Sequence, residues 1–438
     1  MLRRLNDYGM LVVLLLLCAL FSVLTIRDQQ PNDAAAAQEL ARNITRSFGS
    51  GARVMIATRD LPEDKAFAGI LATELKQSGV NVVQQVTGEP KDARQALQDL
   101  ASQGKALDAI ACDSSAASWL VFSNVSVDFP ELGKPQVMQS TGSRWPTFLS
   151  TGNLINIANQ IAVIAIVAIG MTLVIVGGGI DLSVGSLIAL SAVICCLIIR
   201  DYGGAEYASA AGMIAASLAA IAVCALVGAA SGLVVTQLDI APFIVTLATM
   251  LITSGLAYLL AQGQSVYQVP DSFVWLGRGA DLGGMPNAVL LMLLLYVLAH
   301  LLMKHTTFGR HLYAVGGNRD AAMVSGLRVR RVLLIAYIAS GALAGLGGVI
   351  MASQLKSGSP TYGQMYELYV IAAVVVGGAS LNGGRGKMVG TLIGALIIAV
   401  IQNGMNLANI ESYTQKVVLG LVVLGAVVVD RLKRRGAA

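Results

Sequence analysis

Long apolar runs dominate the chain. The first is Met10–Ile26, and nine more follow from residue 148, at roughly 154–176, 184–199, 208–234, 243–262, 287–303, 332–354, 366–378, 388–405 and 414–429. A bilayer-spanning helix needs roughly 17–25 apolar residues, so most of these runs suffice and 366–378 is too short by itself. The pattern predicts an all-α polytopic membrane protein with about ten transmembrane helices. Between the first run and the rest, the periodicity changes. Arg53–Thr58 reads as a strand, and Pro62–Ser78 carries Phe67, Ile70, Leu71 and Leu75 at helical spacing. Val80–Val86 alternates, Pro90–Gln103 places Ala93, Leu97 and Leu100 on one face, and Leu107–Cys112 is a third strand. Strand, helix, strand, helix, strand predicts a parallel, Rossmann-like βαβαβ unit.

Composition agrees with this division. The 438 residues are 55% hydrophobic and 13% charged, with a mean hydropathy of +0.69; a soluble domain carries about a quarter charged residues. Residues 27–153 hold 12 Lys/Arg and 14 Asp/Glu, a soluble balance, against 18 and 11 in all the rest. The domains expected are a first span at 1–26, an extracytoplasmic insert at 27–147 with its α/β core near 52–140, a transmembrane domain at 148–430 and a cytoplasmic tail at 431–438. Residues 27–50, Ala-rich and polar, read as a linker. For Met10–Ile26, a retained span and a cleaved signal peptide compete; both put residue 27 outside. The insert lacks a Gly-rich dinucleotide loop and resembles one lobe of a periplasmic sugar-binding protein, so docking and ligand binding are both open to it.

Orientation follows from basic residues in short loops. With the N-terminus inside, fourteen Lys/Arg fall in inner segments, and only Arg200, Arg278 and Lys356 fall in short outer loops. Both termini are then inside, in a multi-pass inner-membrane protein. The net charge of +5 reflects these flanks and gives no nucleic-acid face. Cys18, Cys112, Cys195, Cys196 and Cys224 have neither disulfide nor metal spacing, and His300, His305 and His311 form no metal set.

Two stretches stand out. Gly177-Gly178-Gly179-Ile180-Asp181-Leu182-Ser183-Val184-Gly185-Ser186 separates two apolar runs. A carboxylate at membrane depth is costly and usually faces a cavity; the competing reading makes Asp181 a helix cap at the inner surface. The second is the inner loop Lys304–Arg331. In it Gly316-Gly317-Asn318 signals a turn and Asp320–Gly326 a short helix with a small surface at Ala321 and Ala322. A docking element for a soluble partner and a basic loop at lipid headgroups both fit. Candidate solute-path or gating residues are Asp181, Ser183, Glu367, Asn156 and Asn403. Sugar contact and helix packing compete for the amides, including Asn159, Gln160, Gln402 and Asn406, while Gly341, Gly345 and Gly348 read as packing faces.

Several motifs occur together and in order: Gly170-Met171-Thr172, Ile180–Ser186, Ala241-Pro242-Phe243, Thr307-Phe308-Gly309-Arg310, Gly316-Gly317-Asn318, Tyr366-Glu367-Leu368 and Gly383-Gly384-Arg385-Gly386. In these the chain resembles the ribose-type carbohydrate ABC transporter permeases, over 1–26 and 148–430. The resemblance implies the permease subunit of a bacterial binding-protein-dependent importer. Its partners would be a second permease subunit, cytoplasmic ATPase subunits and an extracytoplasmic solute-binding protein. It also puts Gly316, Gly317, Asn318, Asp320, Ala321, Ala322 and Gly326 in the ATPase-coupling loop. Tyr369 departs from it, standing where the family commonly has Asp, and residues 27–147 interrupt the usual passage from the first span into Phe148-Leu149…Asn153. The chain has no Gly-x-x-x-x-Gly-Lys-Ser/Thr loop, so ATP would be hydrolysed by the partners, with no cofactor on this chain and no catalytic residues. A proton-coupled secondary transporter using Asp181 and Glu367 is the alternative reading, and a membrane sensor with an outer ligand domain ranks last.

Overall fold

The computed structural model describes residues 2–29, 34–140 and 143–435. Contacts divide them into two compact units, Met1–Thr25 with Phe148–Ala438, and Ile26–Thr147. The chain enters through helix α1 (Leu2–Leu24) of the first unit and passes directly into the second.

The second unit has a four-stranded sheet of order β3-β2-β4-β5 and a two-stranded antiparallel ribbon of β1 (Ile26–Gln29) and β6 (Ser143–Pro146). In the sheet, β2 (Arg53–Thr58), β3 (Asn81–Thr87), β4 (Ala109–Cys112) and β5 (Gln136–Gln139) pair in parallel throughout. Alternation along β2 explains how both faces are covered. Val54 and Ile56 pack on α2 (Ala34–Phe48) and α3 (Pro62–Gln77), while Met55 and Ala57 pack toward α4 (Pro90–Ser102) and the short α5 (Val125–Asp128). Helix α2 corrects the expectation of a linker at 27–50. Its Ala36, Ala37, Leu40, Ala41 and Ile44 form one buried stripe at helical spacing, supported by alanine's high helix propensity. The fourth strand, β5, lies beyond the three that periodicity predicts.

The membrane unit continues with α6 (Thr151–Val176), α7 (Val184–Asp201), α8 (Ala210–Gln237) and α9 (Pro242–Leu260). Next come a one-turn α10 (Trp275–Arg278) and α11 (Asn287–His305). The surface pair α12 (Thr307–Gly317) and α13 (Arg319–Val324) leads into α14 (Val329–Leu355), then α15 (Tyr366–Val376), α16 (Met388–Leu407) and α17 (Ser412–Arg435). Helix α6 is apolar around its whole circumference, and every residue from Ile161 to Val176 is buried, which makes it the hub. By contrast α9 leaves Phe243, Ile244, Leu247 and Leu251 exposed, an outward apolar face suited to lipid. The α8–α14 contact is close because Gly228 and Gly341 face each other, with no side chain between the two backbones.

Among the described residues, seven helices are long and apolar enough to cross a bilayer: α6, α7, α8, α9, α11, α14 and α16. The expected count of about ten is therefore too high. The apolar part of α1 is Gly9–Leu24, and α15 has 11 residues, about 16 Å of helix, half the thickness of a hydrocarbon core. Apolar run length in the sequence does not register where a turn interrupts the helix.

Candidate functional site

Helix α6 ends in a glycine turn. Gly178, at φ 87°, takes the left-handed conformation, and Gly178 and Gly179 donate back to Ile175 and Val174 at 3.0 and 2.9 Å. The chain then runs back among the helices before α7 begins. Asp181 is 1% exposed. Its Oδ1 accepts from the Ser183 N–H at 3.0 Å and the Ser183 hydroxyl at 2.6 Å, and its Oδ2 accepts from Ser340 Oγ of α14 at 2.7 Å. Three donors on one carboxylate compensate for its removal from water. Ser340 follows eleven residues of α14, about 16 Å along that helix, so Asp181 lies deep among the helices and not at a bundle end. Helix α9 holds the same segment. Thr246 Oγ1 donates to the Ile180 carbonyl at 3.2 Å, and the hydroxyls of Ser186 and Thr253 bond at 2.7 Å.

Glu367 reaches this turn from the first turn of α15. It is half-buried and packs over Gly185, where a Cβ would strike its carboxylate. Asp181, Ser183 and Glu367 thus gather around the start of α7. Two other candidates lie apart. Asn403 of α16 exchanges amide bonds with Asn153 at 3.0 and 2.9 Å, and Asn153 also donates to the Phe148 carbonyl at 2.8 Å. Asn156 is exposed on the opening turns of α6. Asn159 accepts from Gln354 of α14 at 3.2 Å. Sequence reasoning missed Ser340, Thr246 and Thr253. All three come from distant helices, and single hydroxyls in apolar runs carry no local signal.

The second centre is the α12–α13 loop. Thr306 caps α12, and Phe308, Leu312 and Val315 line its inner face at helical spacing, a signal that sequence reading overlooked. Asn318 Oδ1 accepts from Ala321 N at 2.9 Å and starts α13 where Asp320–Gly326 was predicted. Ala322 is buried, while Met323 and Val324, the latter 91% exposed, project outward. Gly316 and Gly317 end α12 against two other turns. Gly384, in the α15–α16 turn, donates its N–H to the Val176 carbonyl at the end of α6 at 2.9 Å. A Cβ at Gly316 would drive into that same carbonyl, and Gly383 packs on Gly316 O and on Gly178. Tyr313 of α12 donates its hydroxyl to Gly386 O at 2.6 Å. Three backbones meet here without intervening side chains, so α12 is in direct contact with both helix–turn–helix pairs.

A cleft of about 280 Å³ opens beside this junction, lined by the glycine turns, the α8–α9 connection and the start of α13.

Comparison with known proteins decides the family. The family model described as "Branched-chain amino acid transport system / permease component" matches residues 153–427, more than half of the chain. The chain belongs to this permease family. The permease is also 43% identical over 293 residues to the ribose import permease protein RbsC of Escherichia coli, covering 66% of the chain and 88% of the relative. It is 43% identical to RbsC of Bacillus subtilis over 66% of the chain and 87% of the relative. It is 38% identical to the L-arabinose transport system permease protein AraH of Escherichia coli, over 66% and 86%. No solved structure matches the permease. It is a multi-pass membrane protein of the inner membrane and a transport subunit, not an enzyme. The matched family region contains both the Asp181 turn and the α12–α13 loop.

Proposed function

We propose that the permease is the membrane subunit of a bacterial ABC importer that carries a sugar or sugar-like solute into the cytoplasm. Its relatives are named for ribose and L-arabinose, which supports a small sugar. Cytoplasmic ATPase subunits dock on α12 and α13 and hydrolyse ATP. A second permease subunit completes the path, and an extracytoplasmic solute-binding protein delivers the solute. The basic residues bordering the inner segments support a topology with both termini in the cytoplasm and 27–147 outside, as a Rossmann-like unit that contacts the delivery protein.

The observation that carries this reading is the backbone junction of Gly316, Val176 and Gly384 behind an exposed Met323–Val324 surface. A push on α13 reaches the α6 turn and, five residues after Val176, Asp181. In this account Asp181, Ser183 and Glu367 gate the path by holding or releasing the start of α7; Asn156 and Asn403 stand beside it on α6 and α16. The test is Val324→Asp. The charge abolishes co-purification of the ATPase subunit while the permease still inserts and folds. Undiminished co-purification contradicts docking at α13.

A further inference from the structure

Between α14 and α15 the chain is not helical, and it descends into the bundle beside α7. Gly358 packs against the Ala192 carbonyl and Cys196, whereas Gly363 packs against the Gly185 carbonyl and Ile188. From Ala192 back to Gly185 is about 10 Å along α7, and Gly185 lies about 24 Å short of that helix's end at Asp201. Helix α15 therefore begins well inside a hydrocarbon core roughly 30 Å thick. Two non-glycine residues in the left-handed region bracket the descent, Lys356 at φ 52° and Met365 at φ 68°. Such backbone strain persists only where the surroundings impose it, and it gathers at functional segments.

One side of the descent is closed, with Ser357, Ser359 and Gly363 buried. The other side is open. Thr361 and Gln364 are exposed there, and Glu367 is half-buried in the first turn of α15. Among the described residues, the N–H groups of Gln364 and Met365 meet no carbonyl, and the Gln364 amide has no partner. Lipid tails offer no hydrogen bonds, so irregular backbone and polar side chains at this depth do not face hydrocarbon; they are covered by protein or line a water-filled cavity. Helix α9 shows the contrast, since its outward face carries Leu247, Leu251 and Ile252. A second copy packed dry across a two-fold axis would set Glu367 against Glu367, two like charges out of water. A water-filled gap meets the carboxylate, the amide and both N–H groups at once.

We infer that the strip of Thr361, Gln364 and Glu367 lines a water-filled solute path whose opposite wall is a second copy of this chain, and that the Gln364 amide contacts the passing solute. An amide both donates and accepts, which suits a polar, uncharged solute in transit. The strip meets α7 at Gly185, four residues beyond Asp181, so the non-helical segment 356–365 forms the path wall at the level of the Asp181 turn. The assignment rests on the importer reading for the solute and the second subunit.

The experiment uses the full-length permease with its ATPase subunits and binding protein in proteoliposomes. The probe is a cationic, membrane-impermeant methanethiosulfonate reagent supplied on both faces during ATP turnover, and the unsubstituted protein gives the background of its own cysteines. Gln364→Cys and Thr361→Cys should be modified severalfold faster than Leu251→Cys on the outward face of α9, because the reagent reacts with a thiolate, which forms in water and not in hydrocarbon. Modified Gln364→Cys should then take up severalfold less labelled D-ribose than the same variant unmodified. Thr361→Cys decides if Gln364→Cys does not assemble. Modification no faster than that of Leu251→Cys overturns the inference, and so does modification that leaves uptake unchanged. ATP-driven uptake by the unsubstituted complex tests the import reading separately. Uptake with slow modification removes only the path wall. Absence of uptake removes the import reading, and the solute contact with it, whatever the modification rates.

Discussion

The N–H of Gly384 donates to the carbonyl of Val176 at 2.9 Å, joining the α15–α16 turn to the end of α6. Gly316, at the end of α12, lies against the same carbonyl, with no room for a Cβ. Two helix–turn–helix pairs and one surface helix therefore share a single backbone contact.

This contact predicts the behaviour of glycine variants. Gly316→Ala forces α12 away from Val176, and Gly384→Ala strikes the Gly317 backbone and must also hold a φ of 71°. Overpacking of this kind costs about 1–3 kcal/mol. Both variants should assemble with the ATPase and hydrolyse ATP, yet move several-fold less solute per ATP. Simultaneous assays of hydrolysis and uptake in proteoliposomes check this; an unchanged ratio argues against the junction as the transmission point.

The carboxylate of Asp181 ties the α6–α7 turn to α14 through Ser340. Asp181→Ala leaves Ser183 and Ser340 without their acceptor, and a loss of roughly 1–3 kcal/mol is expected. Ser340→Ala removes one of the three donors and should cost less. In a double-mutant cycle the two changes should couple by roughly 0.5–3 kcal/mol, measured by thermal unfolding of the detergent-solubilised protein. Additive effects would mean that the bond does not hold the turn.

In the insert, the Arg53 side chain and then its backbone N–H hold the Asp108 carboxyl below the ordinary carboxylate range. A lowered folded value means that the stabilisation is complete above the unfolded value, near 3.8, and is lost as pH falls through the lower folded value. Asp108 is partly exposed, so solvent screens the pair. Cleavage of the insert by pepsin should rise more steeply with acidification in the wild type than in Asp108→Asn, which should already be the more readily cleaved at the upper end of the range. Identical profiles would remove Asp108 from the acid response.

Parts of this architecture are legible in the sequence because their cause is local. The Arg53–Thr58 strand follows from β-branched and apolar residues bounded by polar ones, and α13 from Asn318 as a cap. The brevity of α15 is visible in the 366–378 run. Helix α2 is hidden because alanine fits a linker and a helix equally well by composition; only its spacing separates them. The depth of Asp181 is not readable from parity. Counting crossings puts its turn at the inner face, whereas its partner Ser340 stands 159 residues away and well inside α14. The descent of residues 356–365 beside α7 and the meeting of three glycine turns likewise depend on contacts between segments remote in sequence.

The most direct test is uptake of labelled ribose or L-arabinose into proteoliposomes containing the permease, its binding protein and its ATPase subunits. The account predicts uptake that requires both ATP and the ATPase subunits and is indifferent to a proton gradient. Uptake by the permease alone, driven by a proton gradient and lost in Asp181→Asn or Glu367→Gln, would contradict it.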